Sequence, residues 1–122
     1  MSLYRHDTGS GPALVLLHGW GMNAAVWEPL QPRLAPHFRV TVLELPGHWA
    51  SAPATDADLG RWAAACLDVA PPRAHWLGWS LGGQIAIQAA LAAPERVERL
   101  TLVATTPRFV QSPDWDCAMP VD

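Results

Sequence analysis

The chain contains no lysine: all eight basic residues are arginines, set against eleven Asp and Glu, for a formal net charge of -3. A protein that grips nucleic acid needs a basic stripe to neutralise phosphates, so this balance argues against such a partner. Cysteine is also scarce, with only Cys66 and Cys117. Two are too few for a disulfide framework, and no Cys/His spacing resembles a metal site. Long apolar runs are absent, and nothing approaches the ~20 residues that a membrane helix requires. Asp7, Thr8, Gly9 and Ser10 follow Met1 too closely for a signal peptide. The expectation is a soluble cytoplasmic protein with no membrane partner. Charged residues make up only 16% of the 122 positions and hydrophobic ones 50%, so the chain should bury a core as one small domain. Twelve prolines and seven tryptophans are many for this length, and the tryptophans point to an apolar cleft or an unusually aromatic core.

Short apolar runs alternate with helical patterns. Ala13–Leu17 is a five-residue apolar run ending at His18-Gly19, as a buried parallel strand would. Arg39–Leu43 is β-branched and stops at the Pro46-Gly47 turn signal, Ala74–Leu77 leads into Gly78, and Leu100–Val103 is a fourth run. Leu59, Trp62, Ala63, Cys66, Leu67 and Ala70 share one face of an amphipathic helix, with Thr55 or Asp56 as the expected cap. Leu81–Ala93 is apolar nearly all round except Gln84 and Gln88, which predicts a helix buried on most sides and stopped by Pro94. Pro29 and Pro32 cannot both lie deep inside one helix, so a short helix is expected to open near Pro29. This alternation predicts an α/β fold, a mainly parallel sheet with helices on both faces and right-handed crossovers. After Thr105 the pattern dissolves among Pro107, Pro113 and Pro120, and no further element is expected.

The chemistry concentrates in Gly78-Trp79-Ser80-Leu81-Gly82-Gly83, a G-x-S-x-G motif entered from an apolar run and left by a helix. A turn of that kind lifts Ser80 above the sheet and sets it at a helix N-terminus, where free N–H groups and the dipole favour developing negative charge. Acyl transfer also needs two N–H donors aimed at the oxyanion. Leu81, just after the serine, supplies one by position. Trp20 in His18-Gly19-Trp20-Gly21 is the candidate for the second, with its indole free to line an acyl pocket; the alternative is that Trp20 is only a core aromatic. His48 reads as a surface or packing histidine, His18 as one that ties its own loop together, and Cys66 as a small core residue.

His18 to Ala24, the Pro46-Gly47 turn, Leu77 to Gly83, Pro94 to Val97 and Ala104 to Val110 with Asp114-Trp115 behind them together resemble the α/β-hydrolase superfamily. Within it they are most similar to the carboxylesterases of biotin synthesis. The resemblance covers essentially the whole chain. It implies Ser80 as nucleophile, Trp20 and Leu81 as oxyanion hole and substrate contacts, and no metal or organic cofactor. The implied substrate is a methyl ester of a pimeloyl chain carried on acyl-carrier protein, or a small-molecule ester, although no basic cluster for an acidic carrier lies in these residues. The family's pattern has aspartate where Glu44 stands and glycine where Trp49 stands. If that glycine takes φ > 0, Trp49 adds strain of about 1–2 kcal/mol or forces another loop path.

Such hydrolases order their triad Ser, then Asp or Glu, then His. His6, His18, His37, His48 and His75 all precede Ser80, and Asp114, Asp116 and Asp122 come too soon to be the acid. The expectation is therefore the N-terminal half of an α/β-hydrolase, truncated before the lid and the last strands. Residues 1–106 would form the core and residues 107–122 an irregular start of the lid connection. Its last strand would present an exposed edge open to self-association. Besides a biotin-pathway esterase, the readings that stay open are another esterase or C–C hydrolase of the same fold, and an inactive fragment.

Overall fold

The computed structural model describes residues 2–120. Five strands form one sheet in the order β1-β3-β2-β4-β5: Arg5–Thr8 (β1), Ala13–Leu17 (β2), Arg39–Leu43 (β3), Ala74–Trp79 (β4) and Val97–Val103 (β5). β2, β3, β4 and β5 run parallel, and β1 pairs antiparallel with β3. β2 sits centrally and is covered on both faces, which is why it reads as an unbroken apolar run. Val15 and Leu17 point to one face with Leu43, Leu45 and Trp76; Leu14 and Leu16 point to the other with Val40, Val42 and Trp27.

Two helices cover the first face. Leu59–Val69 (α2) buries Trp62, Ala63, Cys66 and Leu67, the face its spacing announced. Its cap differs from the expectation: Asp58, not Thr55 or Asp56, accepts the Arg61 N–H at 2.9 Å. Asp56 is occupied instead by the Asp58 N–H at 3.0 Å and the Arg61 guanidinium at 2.9 Å. Leu81–Ala92 (α3) packs beside α2 and buries Gly82, Gly83, Gln84, Ile85, Ala86 and Ala89, although Leu91 is exposed. The Arg96 guanidinium donates to the carbonyls of Leu67, Pro71 and Pro72, closing the turn between α2 and β4.

The second face is covered by a 3-10 turn at Ala24–Trp27 and a single-turn helix, Gln31–Leu34 (α1). The expected opening near Pro29 is thus displaced. Pro32 occupies the first turn of α1, where its missing N–H removes no intrahelical bond.

No residue pattern announced β1. This edge strand is short, charged and half-exposed, so it lacks the apolar alternation by which a strand is read. It is tied by Asp7, whose carboxylate accepts from the guanidinium groups of Arg5 and Arg39, both at 2.8 Å. Arg5 chiefly, then Arg39, holds the Asp7 carboxyl far below the usual carboxylate range. β5 begins at Val97, earlier than its apolar run, and pairs with β4 alone among the described residues. Beyond Val103 no helix or strand follows among the described residues, but bridges between Val110 and Met119 and between Ser112 and Trp115 fold that segment on itself. Among the described residues no helix is long and apolar enough to cross a membrane.

Candidate active site

Ser80 occupies the single residue between β4 and α3, at φ +54° and ψ −116°. For a side chain that backbone costs about 1–3 kcal/mol and persists only where the surroundings enforce it. Here they do. The Ser80 N–H donates to the Val103 carbonyl at 3.0 Å. The Ser80 carbonyl accepts from the Thr105 hydroxyl at 2.7 Å and from the Gly83 N–H at 2.9 Å. Gly78 and Gly82 make the turn possible: a Cβ on Gly78 would strike Gly82 and Gly83, and one on Gly82 would strike the Leu17 and His18 carbonyls.

The loop after β2 comes up against this serine. A Cβ on Gly19 would lie 3.5 Å from the Ser80 Cβ and 3.3 Å from the Trp79 ring, so the loop packs directly against the serine turn. Trp20 follows, 72% exposed, which removes the alternative that it is a core aromatic. Leu81 opens α3, where the first N–H groups have no intrahelical partner. Among the described residues, neither the Trp20 N–H nor the Leu81 N–H has a hydrogen-bond acceptor. The sheet thus brings together a strained serine and two free amide donors on adjoining turns. Trp20 also lines an open cavity of about 500 Å³ with Pro46, His48, Ala54 and Trp62.

The loop after β3 braces the site from the side. The His48 ring accepts the Gly21 N–H at Nε2 (3.0 Å) and faces the Pro46 carbonyl with Nδ1 (3.0 Å). His48 is buried, so of its two expected placements packing holds and surface does not. His18 ties its own loop, with Nδ1 at 2.7 Å from the Gly19 carbonyl, and also accepts the Leu45 N–H at Nε2 (3.0 Å). Burial lowers its affinity for a proton. The Glu44 carboxylate, almost fully buried, accepts from the Ala24 and Ala50 N–H groups and so joins both loops. The links of Glu44 and His48 were not legible in the sequence, because their partners Ala24 and Gly21 lie 20 and 27 residues away and are brought near by the pairing of β2 with β3.

A family model for the alpha/beta hydrolase fold matches residues 12–120. The chain belongs to the α/β-hydrolase family. It is 49% identical over 114 residues to a protein of Aliivibrio salmonicida named pimeloyl-[acyl-carrier protein] methyl ester esterase, covering 93% of this chain and 44% of that one. A protein of the same name from Pectobacterium carotovorum is 50% identical over 115 residues, covering 93% and 45%. The crystal structure of a hydrolase from Pseudomonas aeruginosa superposes with a TM-score of 0.83 at 34% identity, over 91% of this chain and 44% of that one. The chain spans a little under half the length of the relatives it matches.

Trp49 sits at φ +42° with its side chain 82% exposed, in the left-handed region that favours glycine. None of the five histidines hydrogen-bonds Ser80: His18 and His48 serve the loops, His75 lies 3.7 Å from Glu98, and His6 and His37 lie outside the turn that carries Ser80. Asp114 is exposed and bonded locally to Ser112, and Asp122 lies outside the described residues.

Proposed function

We propose that this chain carries the nucleophile and oxyanion hole of a serine carboxylesterase, and that its substrate is the methyl ester of a pimeloyl chain on acyl-carrier protein. The strained Ser80 backbone beside two unpaired N–H groups is the observation that carries the reading. The names of relatives at 49–50% identity support the substrate.

In this reading the Ser80 hydroxyl attacks the ester carbonyl and its proton passes to a general base. The carbonyl oxygen becomes an oxyanion held by the N–H groups of Trp20 and Leu81. Collapse expels methanol and leaves an acyl-serine, which water hydrolyses to the free acid. Every histidine here precedes Ser80. The base and its orienting acid accordingly come from sequence beyond residue 122, in the family's order. Residues 107–120 lead towards a substrate-covering lid. A cytoplasmic location fits a carrier-protein substrate.

The test joins residues 1–122 to the C-terminal half of the Pectobacterium relative. A fluorophosphonate should label Ser80, and Ser80→Ala should lower esterase turnover by about 10⁴–10⁶-fold. Labelling elsewhere, or activity that survives the substitution, removes Ser80 from the mechanism.

A further inference from the structure

We infer that His18 and His48 are positioning residues that clamp the two peptide planes on either side of Trp20, so that its N–H stays turned towards the oxyanion. The inference rests on the assignment of Trp20 as an oxyanion donor. Its geometry is independent of that assignment.

A trans peptide is planar, with its C=O and N–H pointing opposite ways. Fixing one therefore aims the other. The Gly19 carbonyl shares a plane with the Trp20 N–H and is held twice, by His18 Nδ1 at 2.7 Å and by the Met22 N–H at 3.2 Å. The next plane pairs the Trp20 carbonyl with the Gly21 N–H, and that N–H is held by His48 Nε2 at 3.0 Å. Glycines flank Trp20 on both sides, and Gly21 adopts φ +72°, so without these anchors either plane could rotate at little steric cost.

The bonds require one tautomer on each ring. Nε2 must be bare to accept from Leu45 on His18 and from Gly21 on His48, while the Nδ1 protons donate to the Gly19 and Pro46 carbonyls. The rings lie 5.0 Å apart, so two neutral imidazoles are also the arrangement without repulsion. Around them stand the Glu44 carboxylate, committed to Ala24 and Ala50, and across the cavity Asp56, committed to Arg61. Burial disfavours the protonated form of His18. Among the described residues neither ring hydrogen-bonds Ser80, so their role is in aiming the amide and not in proton transfer.

Two measurements test the clamp. In the 122-residue chain without substitution, nitrogen-15 spectra should show a coupling across the hydrogen bond between the Gly21 amide and His48 Nε2, with both rings protonated at Nδ1. No coupling, or a His48 ring protonated at Nε2 at neutral pH, overturns the proposal. In the chain joined to the Pectobacterium C-terminal half, His48→Leu should lower kcat by about 10²-fold, the scale of a lost or misaimed oxyanion donor, while KM changes by less than about threefold. His48→Gln places an oxygen acceptor near the Nε2 position and should recover most of kcat. Equal damage from Gln and Leu, or an unchanged kcat in His48→Leu, overturns the clamp. Ser80→Ala in the same background separates the two readings. If it abolishes turnover while His48→Leu leaves kcat unchanged, only the clamp falls. If it leaves turnover intact, the serine-hydrolase reading falls first.

Discussion

At Trp49 a large side chain holds the left-handed backbone region with its indole almost wholly in water, so no burial offsets the strain. Trp49→Gly should stabilise the chain by about 1 kcal/mol, the strain relieved less the extra freedom that glycine gains when unfolded. Urea unfolding measures it, and a loss of stability would mean that the indole makes contacts that matter. Ser80, also in positive-φ backbone, tells a different story. Its turn was legible in the sequence because the flanking glycines, the strand before and the helix after are local, whereas the bonds to Val103 and Thr105 that hold it come from more than twenty residues away. The α2 cap was not legible, because Thr55, Asp56 and Asp58 are all competent caps and only the winding of the chain decides that Asp58 accepts the Arg61 N–H. Cys66, read as a core residue, is fully buried, and desolvation pushes its thiol up to about 12, so it is no nucleophile at neutral pH.

Among the elements, the parallel strands β2, β3 and β4 declare themselves by apolar runs, whereas β1 is hidden by its charges. The loops that follow β2 and β3 depend on each other, and His18 gives their union a pH dependence. Burial chiefly lowers the His18 pKa in the folded chain, with neighbouring His48 adding to it; the Gly19 carbonyl and Glu44 oppose them. The unfolded chain takes up a proton near the ordinary value of 6.5. Between the lowered folded value and 6.5 the unfolded state binds more protons, so stability falls as pH drops through that window and is fully present above it. The unfolding free energy should therefore decline on acidification from about pH 7. His18→Gln should flatten that slope. A slope unchanged in the variant would assign the effect to another group.

Across the whole molecule, the sheet is well covered in the middle and bare at β5. Leu100, Leu102 and Val103 are exposed, and one edge of the strand has no partner among the described residues. No lysine or proline interrupts the strand, and Glu98 and Arg99 are its only charges. We therefore propose that the isolated 122-residue chain self-associates through β5. Size-exclusion chromatography with light scattering at micromolar concentration should show dimers or larger species. A sharp monomer with cooperative unfolding would mean that β5 is protected in a way the pairing does not reveal. At this scale the fold class was readable because strand and helix periods alternate so plainly. The bracing of the Trp20 loop was not, since it depends on which loops the sheet register places side by side.

In the proposed reading Ser80 is a primed nucleophile with no base within these residues. The most direct measurement compares p-nitrophenyl acetate hydrolysis by the 122-residue chain, by its Ser80→Ala variant, and by the chain joined to the Pectobacterium C-terminal half. The first two should be indistinguishable and the third should gain a serine-dependent rate. A serine-dependent rate in the 122-residue chain alone would contradict that reading, because one of the five histidines or another group within these residues would then be serving as the base.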